Sequence, residues 1–122
     1  MTQQKARILF VDDHEDTRFM VTTWLGRMGY QVIEAGSVNE GLRLARQGGF
    51  DLYLLDSHFA DGTGADLCAQ IRAFDAHTPI IFYTGEHPSR LAEALACHVQ
   101  GYVMKPELDA LPEEIARALH TA

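Results

Sequence analysis

The feature that most constrains this chain is a repeated switch between short apolar runs and longer amphipathic stretches. "RILFV" (7–11), "DLYLLD" (51–56) and "PIIFYT" (79–84) are apolar almost without alternation. A strand exposed on one face would alternate, so these three read as parallel strands covered on both faces. "QVIEA" (31–35) and "GYVMK" (101–105) are more mixed, which suits strands at the two edges. Between them lie helical stretches. Residues 15–28 put Met20, Val21, Trp24, Leu25 and Met28 on one face, and Gly29 supplies a helix end. Residues 37–47 open with Ser37 and Glu40 at capping-box spacing and close on Gly48 and Gly49. Residues 64–74 align Leu67, Cys68, Ile71 and Phe74. A fourth helix is expected over 88–98, with Pro88 in its first turn, and a fifth within 108–120 turns Leu111, Ile115 and Leu119 inward. Strands alternating with helices require parallel βαβ units. The expectation is an α/β fold, a doubly wound five-stranded parallel sheet in the order 2-1-3-4-5, forming one domain over 1–122.

Such a fold needs a core, and 47% hydrophobic residues in 122 supply one. The net charge of -7 argues against nucleic acid or an anionic membrane as a direct partner, because both attract basic patches. No basic start precedes a long apolar run and no apolar run reaches membrane-spanning length, so a cytoplasmic protein is expected. Cys68 and Cys97 lack metal-type spacing and read as reduced, buried thiols.

In a doubly wound sheet, ligands bind beyond the carboxyl ends of the strands, at the switch point between strands one and three. Asp12 and Asp13 follow strand one. Asp56 closes strand three, Thr84 closes strand four and Lys105 closes strand five. The fold therefore gathers three carboxylates, a hydroxyl and an ammonium at one edge. Carboxylates converging without a counter-ion raise one another's proton affinity. A hard divalent cation resolves this, and Mg²⁺ is commonly held by one or two carboxylates together with phosphate oxygens. An aspartate can also be the nucleophile of a phosphoryl transfer.

Each of these residues has an ordinary explanation when taken alone. Asp12 can be a helix N-cap, Thr84 a strand end, Lys105 a solvated surface lysine and Tyr102 plain core. The set at one sheet edge is not covered by those explanations. Glu15 and Asp16 are read as first-turn acids favoured by the helix dipole. The six histidines are scattered with no ligand spacing and read as surface or loop residues, although His14, His58 and His87 fall near the active edge.

"ILFVDD", "LLDSHFADGTGADL", "IIFYTGE" and "GYVMKP", in this order at successive strand ends, resemble the receiver domain of two-component response regulators. The resemblance covers essentially the whole chain and implies the flavodoxin-like (βα)5 receiver fold. It implies that Asp56 accepts a phosphoryl group from the phosphohistidine of a histidine kinase or phosphotransfer protein. It implies Mg²⁺ held by Asp13 and Asp56, by Asp12 largely through water, and by the backbone carbonyl of His58. Lys105 would neutralise Asp56 and then the phosphoryl oxygens, Thr84 would hydrogen-bond one of them, and Gly85 would leave room. Thr84 and Tyr102 would form the switch, read out on a surface of the fourth helix, fifth strand and fifth helix. His58 and Glu86 would tune the phosphoaspartate lifetime. The Lys105–Pro106 bond is the family's cis position.

The same resemblance implies self-phosphorylation and self-dephosphorylation rather than metabolite turnover. It implies a downstream protein target or an effector domain absent from this chain, and it leaves open a phosphorylation-dependent dimer. Ala60 departs from a proline common after the phosphoacceptor strand, so a less rigid loop is expected there. Two other classes fit less well. An aspartate-nucleophile phosphatase needs Asp-x-Asp after strand one, and a flavodoxin-like cofactor binder needs a hydroxyl- and glycine-rich loop there. This chain has adjacent acids.

Overall fold

The computed structural model describes residues 6–86, 97 and 99–121. At its centre is β1 (Arg7–Val11), whose last four residues are fully buried. It pairs in parallel with β2 (Gln31–Ala35) on one side and β3 (Leu52–Leu55) on the other. Two short antiparallel strands, β4 (His58–Phe59) and β5 (Gly62–Thr63), form a hairpin outside the sheet. β6 (Ile80–Thr84) pairs with β3, and β7 (Gly101–Met104) closes the sheet. The main sheet thus runs β2-β1-β3-β6-β7, the order expected for its five strands.

Side chains alternate across this sheet because successive Cβ atoms point to opposite faces. Leu9, Val11, Tyr53, Leu55, Ile80 and Phe82 face one core layer. That layer is covered by α2 (Val38–Gln47) and α3 (Gly64–Arg72) through Leu42, Ala45, Leu67, Cys68 and Ile71. Ile8, Phe10, Leu52, Leu54, Ile81 and Tyr83 face the other. There α1 (Glu15–Arg27) and α4 (Ala110–Thr121) supply Val21, Leu25, Leu111 and Ile115. This two-sided burial is why the central strands carry no polar alternation. The helix expected over 88–98 lies outside the described residues, apart from Cys97. Among the described residues no helix is long and apolar enough to cross a membrane.

Two apolar residues leave the faces expected of them. Met20 is 42% exposed and Phe74 44% exposed. Met20 sits about 100° around the helix from Val21, at the edge of the buried stripe. Phe74 falls beyond the end of α3, in a turn where its amide donates to the Ile71 carbonyl at 3.1 Å, and its ring meets the Arg46 guanidinium instead of the core. Cys97 is only partly buried, whereas Cys68 is buried as expected, and both thiols are free.

The helix ends are specified largely as the sequence indicates. Gly29 has φ 95° just past α1, a conformation that carries no penalty without a Cβ. Ser37 Oγ accepts the Glu40 amide at 3.1 Å, but Glu40 reaches past Ser37 to accept from the Gly36 amide at 2.8 Å. The first turn of α2 has a further anchor, since Asp61 accepts from the Val38 and Asn39 amides at 2.9 and 3.0 Å. The loop containing Ala60 is therefore a hairpin hydrogen-bonded to α2 through Asp61.

The two amide hydrogen bonds lower the proton affinity of Asp61. A carboxyl depressed by folding stabilises the fold above its unfolded pKa, about 3.9, and that contribution is lost as pH falls through the lower folded value. Asp61→Asn should therefore flatten the acid limb of the stability–pH curve below about pH 4. An unchanged limb would contradict a structural role for this anchor.

Candidate functional site

The sheet itself places the candidate residues. The Asp12 amide donates to the Ala35 carbonyl at 3.0 Å, extending the β1–β2 ladder by one step. The Asp56 amide does the same to Val11 at 2.9 Å, and the Lys105 amide to Thr84 at 2.8 Å. Each side chain therefore leaves a backbone position fixed by the sheet, and all of them converge on the carboxyl edge of β1, β3, β6 and β7.

Asp12, Asp56, Ser57 and Thr84 are the buried polar residues among those described. Asp12 is fully buried. Its Oδ1 accepts the His14 amide at 2.9 Å, and its Oδ2 lies 2.8 Å from the Lys105 ammonium. The same ammonium lies 3.3 Å from Asp56 Oδ2, so one cation bridges carboxylates from two strands. Asp56 Oδ1 accepts the Ser57 amide at 2.8 Å. Asp13 is exposed, and its Oδ1 lies 3.0 Å from His14 Nδ1. Arg18 on α1 braces the assembly from behind, donating to the Asp12 carbonyl at 2.6 Å and pairing with Glu34 on β2 at 3.4 Å.

One ammonium does not compensate two buried carboxylates. Burial pushes the Asp56 carboxyl above its ordinary value, and the nearby Asp12 charge adds to this. The Ser57 amide and Lys105 oppose the rise without cancelling it. For Lys105, burial alone would disfavour the charge, but Asp12 and Asp56 more than offset it and raise its proton affinity. The ammonium is thus fixed in its charged form while the pocket keeps surplus negative charge. That surplus, from three oxygen-bearing side chains, is the donor set a hard divalent cation selects. Oxygens of Asp12, Asp13 and Asp56, with a nitrogen of His14, lie within 4.8 Å of one another.

Above Asp56 opens a cavity of about 320 Å³, bordered by Ser57, His58, Thr84, Gly85 and Glu86. A Cβ on Gly85 would meet nothing within 4 Å, so this residue leaves the mouth open. The Thr84 and Ser57 hydroxyls share a hydrogen bond of 2.5 Å, and the Glu86 amide donates to Thr84 Oγ1 at 3.2 Å. Glu86 also pairs with the His58 imidazole across the mouth. The Tyr102 hydroxyl donates to the Glu86 carbonyl while its ring stacks on Phe82, with centroids 6.5 Å apart. Burial, first of all, raises the Tyr102 phenol to about 12, so it remains a donor. The Lys105–Pro106 bond is cis.

Among the described residues, Asp12, Asp13, His14, Asp56, His58, Thr84, Glu86, Tyr102 and Lys105 fall at this one edge. His58 lies in the β4–β5 hairpin rather than in an open loop, and His87 lies outside the described residues. Ser57 and Arg18 also belong to this edge and are not legible in the sequence. A serine after an aspartate and an arginine in an amphipathic helix carry no distinguishing pattern. Their relevance comes from contacts across 27 and 6 residues.

The topology and the acidic pocket at its switch point define a doubly wound α/β protein of flavodoxin-like, CheY-like architecture. Residues 8–116 match the model of the response regulator receiver domain, and the chain belongs to that family. It is a receiver domain of two-component phosphorelay systems, with a signalling role. It is 36% identical over 121 residues to response regulator protein PilR of Pseudomonas aeruginosa, covering 98% of this chain and 27% of PilR. A CheY-like receiver domain from Methanospirillum hungatei superposes with a TM-score of 0.90 at 28% identity, covering 98% of this chain and 96% of that one. Response regulator TrrA of Thermotoga maritima, in complex with Mg²⁺–BeF, superposes with a TM-score of 0.86 at 27% identity, covering 93% and 99%.

Proposed function

We propose that Asp56 is the phosphoacceptor, receiving a phosphoryl group from the phosphohistidine of a histidine kinase or phosphotransfer protein. The observation that carries this is the shared ammonium. Lys105 reaches across the sheet edge to both Asp12 and Asp56, leaving Asp56 Oδ1 held by the Ser57 amide beneath an open cavity. An Asp56 oxygen attacks phosphorus in line with the departing imidazole, whose P–N bond breaks as the new P–O bond forms. Lys105 remains protonated and turns from the consumed carboxylate charge to the transferred oxygens. Asp12, Asp13, Asp56 and the His58 backbone carbonyl are the groups proposed to hold Mg²⁺. When bound, Mg²⁺ supplies charge neutralisation of the phosphoryl oxygens and of the acidic pocket.

The Thr84 hydroxyl then exchanges its bond to Ser57 for one to a phosphoryl oxygen. Its departure frees space beside Phe82 for the Tyr102 ring to turn inward and leave the Glu86 carbonyl. This is a population shift driven by added charge at Asp56. It is read on β7, on α4 and on the helix expected before β7, by a protein target or by an effector domain. A dimer formed on phosphorylation is one form that readout can take. The chain acts as one receiver unit over 1–122, placed in the cytoplasm beside its kinase and with no direct nucleic-acid contact. Its chemistry is confined to its own phosphorylation and dephosphorylation.

The test is labelling by a small acyl phosphate. The wild-type protein should gain one phosphoryl mass in Mg²⁺, lose it on treatment with hydroxylamine, and gain none in a chelator. Mass uptake that ignores Mg²⁺ or resists hydroxylamine contradicts an acyl phosphate at Asp56.

The His58–Glu86 pair shields the mouth from water, so His58→Ala and Glu86→Ala should each shorten the phosphoaspartate lifetime several-fold. Timed release of inorganic phosphate reads this directly. Unchanged lifetimes in both variants would end the assignment of a tuning role.

A further inference from the structure

Beside the three carboxylates stands a donor of a different kind. His14 occupies the N-cap of α1. Its amide is tied to Asp12 Oδ1 at 2.9 Å, so the ring is carried on a fixed turn. Its Nδ1 lies 3.0 Å from Asp13 Oδ1 and 3.4 Å from Asp12 Oδ1. One donor atom each from Asp12, Asp13, His14 and Asp56 falls within 4.8 Å of the others. We propose that His14 Nδ1 is an additional ligand at this edge for first-row transition ions such as Co²⁺ and Zn²⁺, and that it strengthens the site's hold on them relative to Mg²⁺. The proposal rests on the metal reading given above.

Charge and ligand type separate the two roles. Ionised Asp12, Asp13 and Asp56 with protonated Lys105 leave two surplus negative charges, which any divalent cation neutralises. A neutral imidazole adds nothing to that balance. What it changes is the kind of ion preferred. Mg²⁺ seeks oxygen, retains several waters and gains little from a ring nitrogen. Transition ions gain from one, and increasingly so along the first row towards copper.

The ring is also free to serve. Its side chain is 69% exposed, so moving Nδ1 from the Asp13 oxygen to a cation between them costs no core packing. The competing explanation is an exposed N-cap histidine that merely shares a proton with Asp13. Such a ring would leave transition-ion affinity unchanged when removed.

Calorimetric titration of the metal-free chain with Mg²⁺ and with Co²⁺ distinguishes these, comparing wild type, His14→Ala and Asp13→Asn. His14→Ala should lose about tenfold in Co²⁺ affinity while Mg²⁺ affinity stays within about twofold. Asp13→Asn should weaken both ions, which locates Co²⁺ in this pocket and not on another histidine. In wild type, one equivalent of Zn²⁺ should shift the ¹⁵N resonance of His14 Nδ1. Equal Co²⁺ affinity in wild type and His14→Ala, with Mg²⁺ binding intact, overturns the proposal and leaves the metal reading standing. Co²⁺ affinity indifferent to Asp13→Asn overturns it as well. Loss of Mg²⁺ binding in the wild-type protein would instead overturn the metal reading, and this proposal with it.

Discussion

Asp56→Asn protein is expected to take up no phosphoryl group from a small phosphodonor in Mg²⁺, and also to resist unfolding better than wild type without metal. The first result follows from chemistry, because an amide oxygen does not form the acyl phosphate. The second follows from the pocket. The Asp56 carboxyl is held above its ordinary value, chiefly by burial and also by Asp12, so the fold carries a cost whenever it is ionised. Asparagine keeps an oxygen for the Ser57 amide and resembles the protonated acid. A carboxyl raised by folding costs nothing below its unfolded pKa, about 3.9, and costs the full amount once pH exceeds the folded value. The variant's advantage should therefore be present at neutral pH and vanish in acid. Mg²⁺ should narrow it by stabilising wild type. Equal labelling in both proteins would remove Asp56 as acceptor.

Gly64→Ala should be the most damaging small substitution near the site. A Cβ there would stand 2.2 Å from the Asp56 carbonyl oxygen, 2.7 Å from Phe82 Cε1 and 3.0 Å from Ser57 Cα. Two of these neighbours are backbone and cannot swing aside. They belong to the turn that carries Asp56, the proposed acceptor, which the Gly64 amide closes by donating to the Ser57 carbonyl at 2.8 Å. We expect a loss of about 3 kcal/mol, at the upper end for overpacking. It is read from the urea midpoint, together with weakened Mg²⁺ stabilisation because Asp56 is displaced. Gly41→Ala is the control, since its Cβ would meet only side-chain atoms, at 3.0, 3.1 and 3.4 Å on Val11 and Leu67. Wild-type stability in Gly64→Ala would show that the turn yields without consequence.

The sequence revealed most where one physical demand dominates a stretch. Strands covered on both faces must be apolar throughout, so β1, β3 and β6 were legible. The site was legible because a parallel sheet brings its strand ends to one edge, and Asp12, Asp13, Asp56, Thr84 and Lys105 sit at those ends. What escaped notice depends on partners distant in the chain. Asp61 anchors α2 across 23 residues, and Ser57 meets Thr84 across 27. Thr63 and Asp66 form a complete capping box for α3, a pattern less distinctive with aspartate than with glutamate. The exposure of Met20 and Phe74 is not legible, because helical periodicity gives no warning of a stripe's edge or of a helix's last residue.

The Asp61 anchor has a mechanical consequence. The bank of the cleft carrying Asp56 is bolted to α2 by two amide bonds and to α3 by the Thr63–Asp66 box. Across the mouth, the opposite bank meets it through the Thr84 hydroxyl, an exposed His58–Glu86 pair and the Lys105 ammonium, all of them side-chain contacts that can exchange partners. A load applied between two supports of unequal stiffness displaces the softer one. With Asp56 as the proposed acceptor, its side of the cleft would serve as the anvil, and the work of an added charge would be delivered towards β6 and β7.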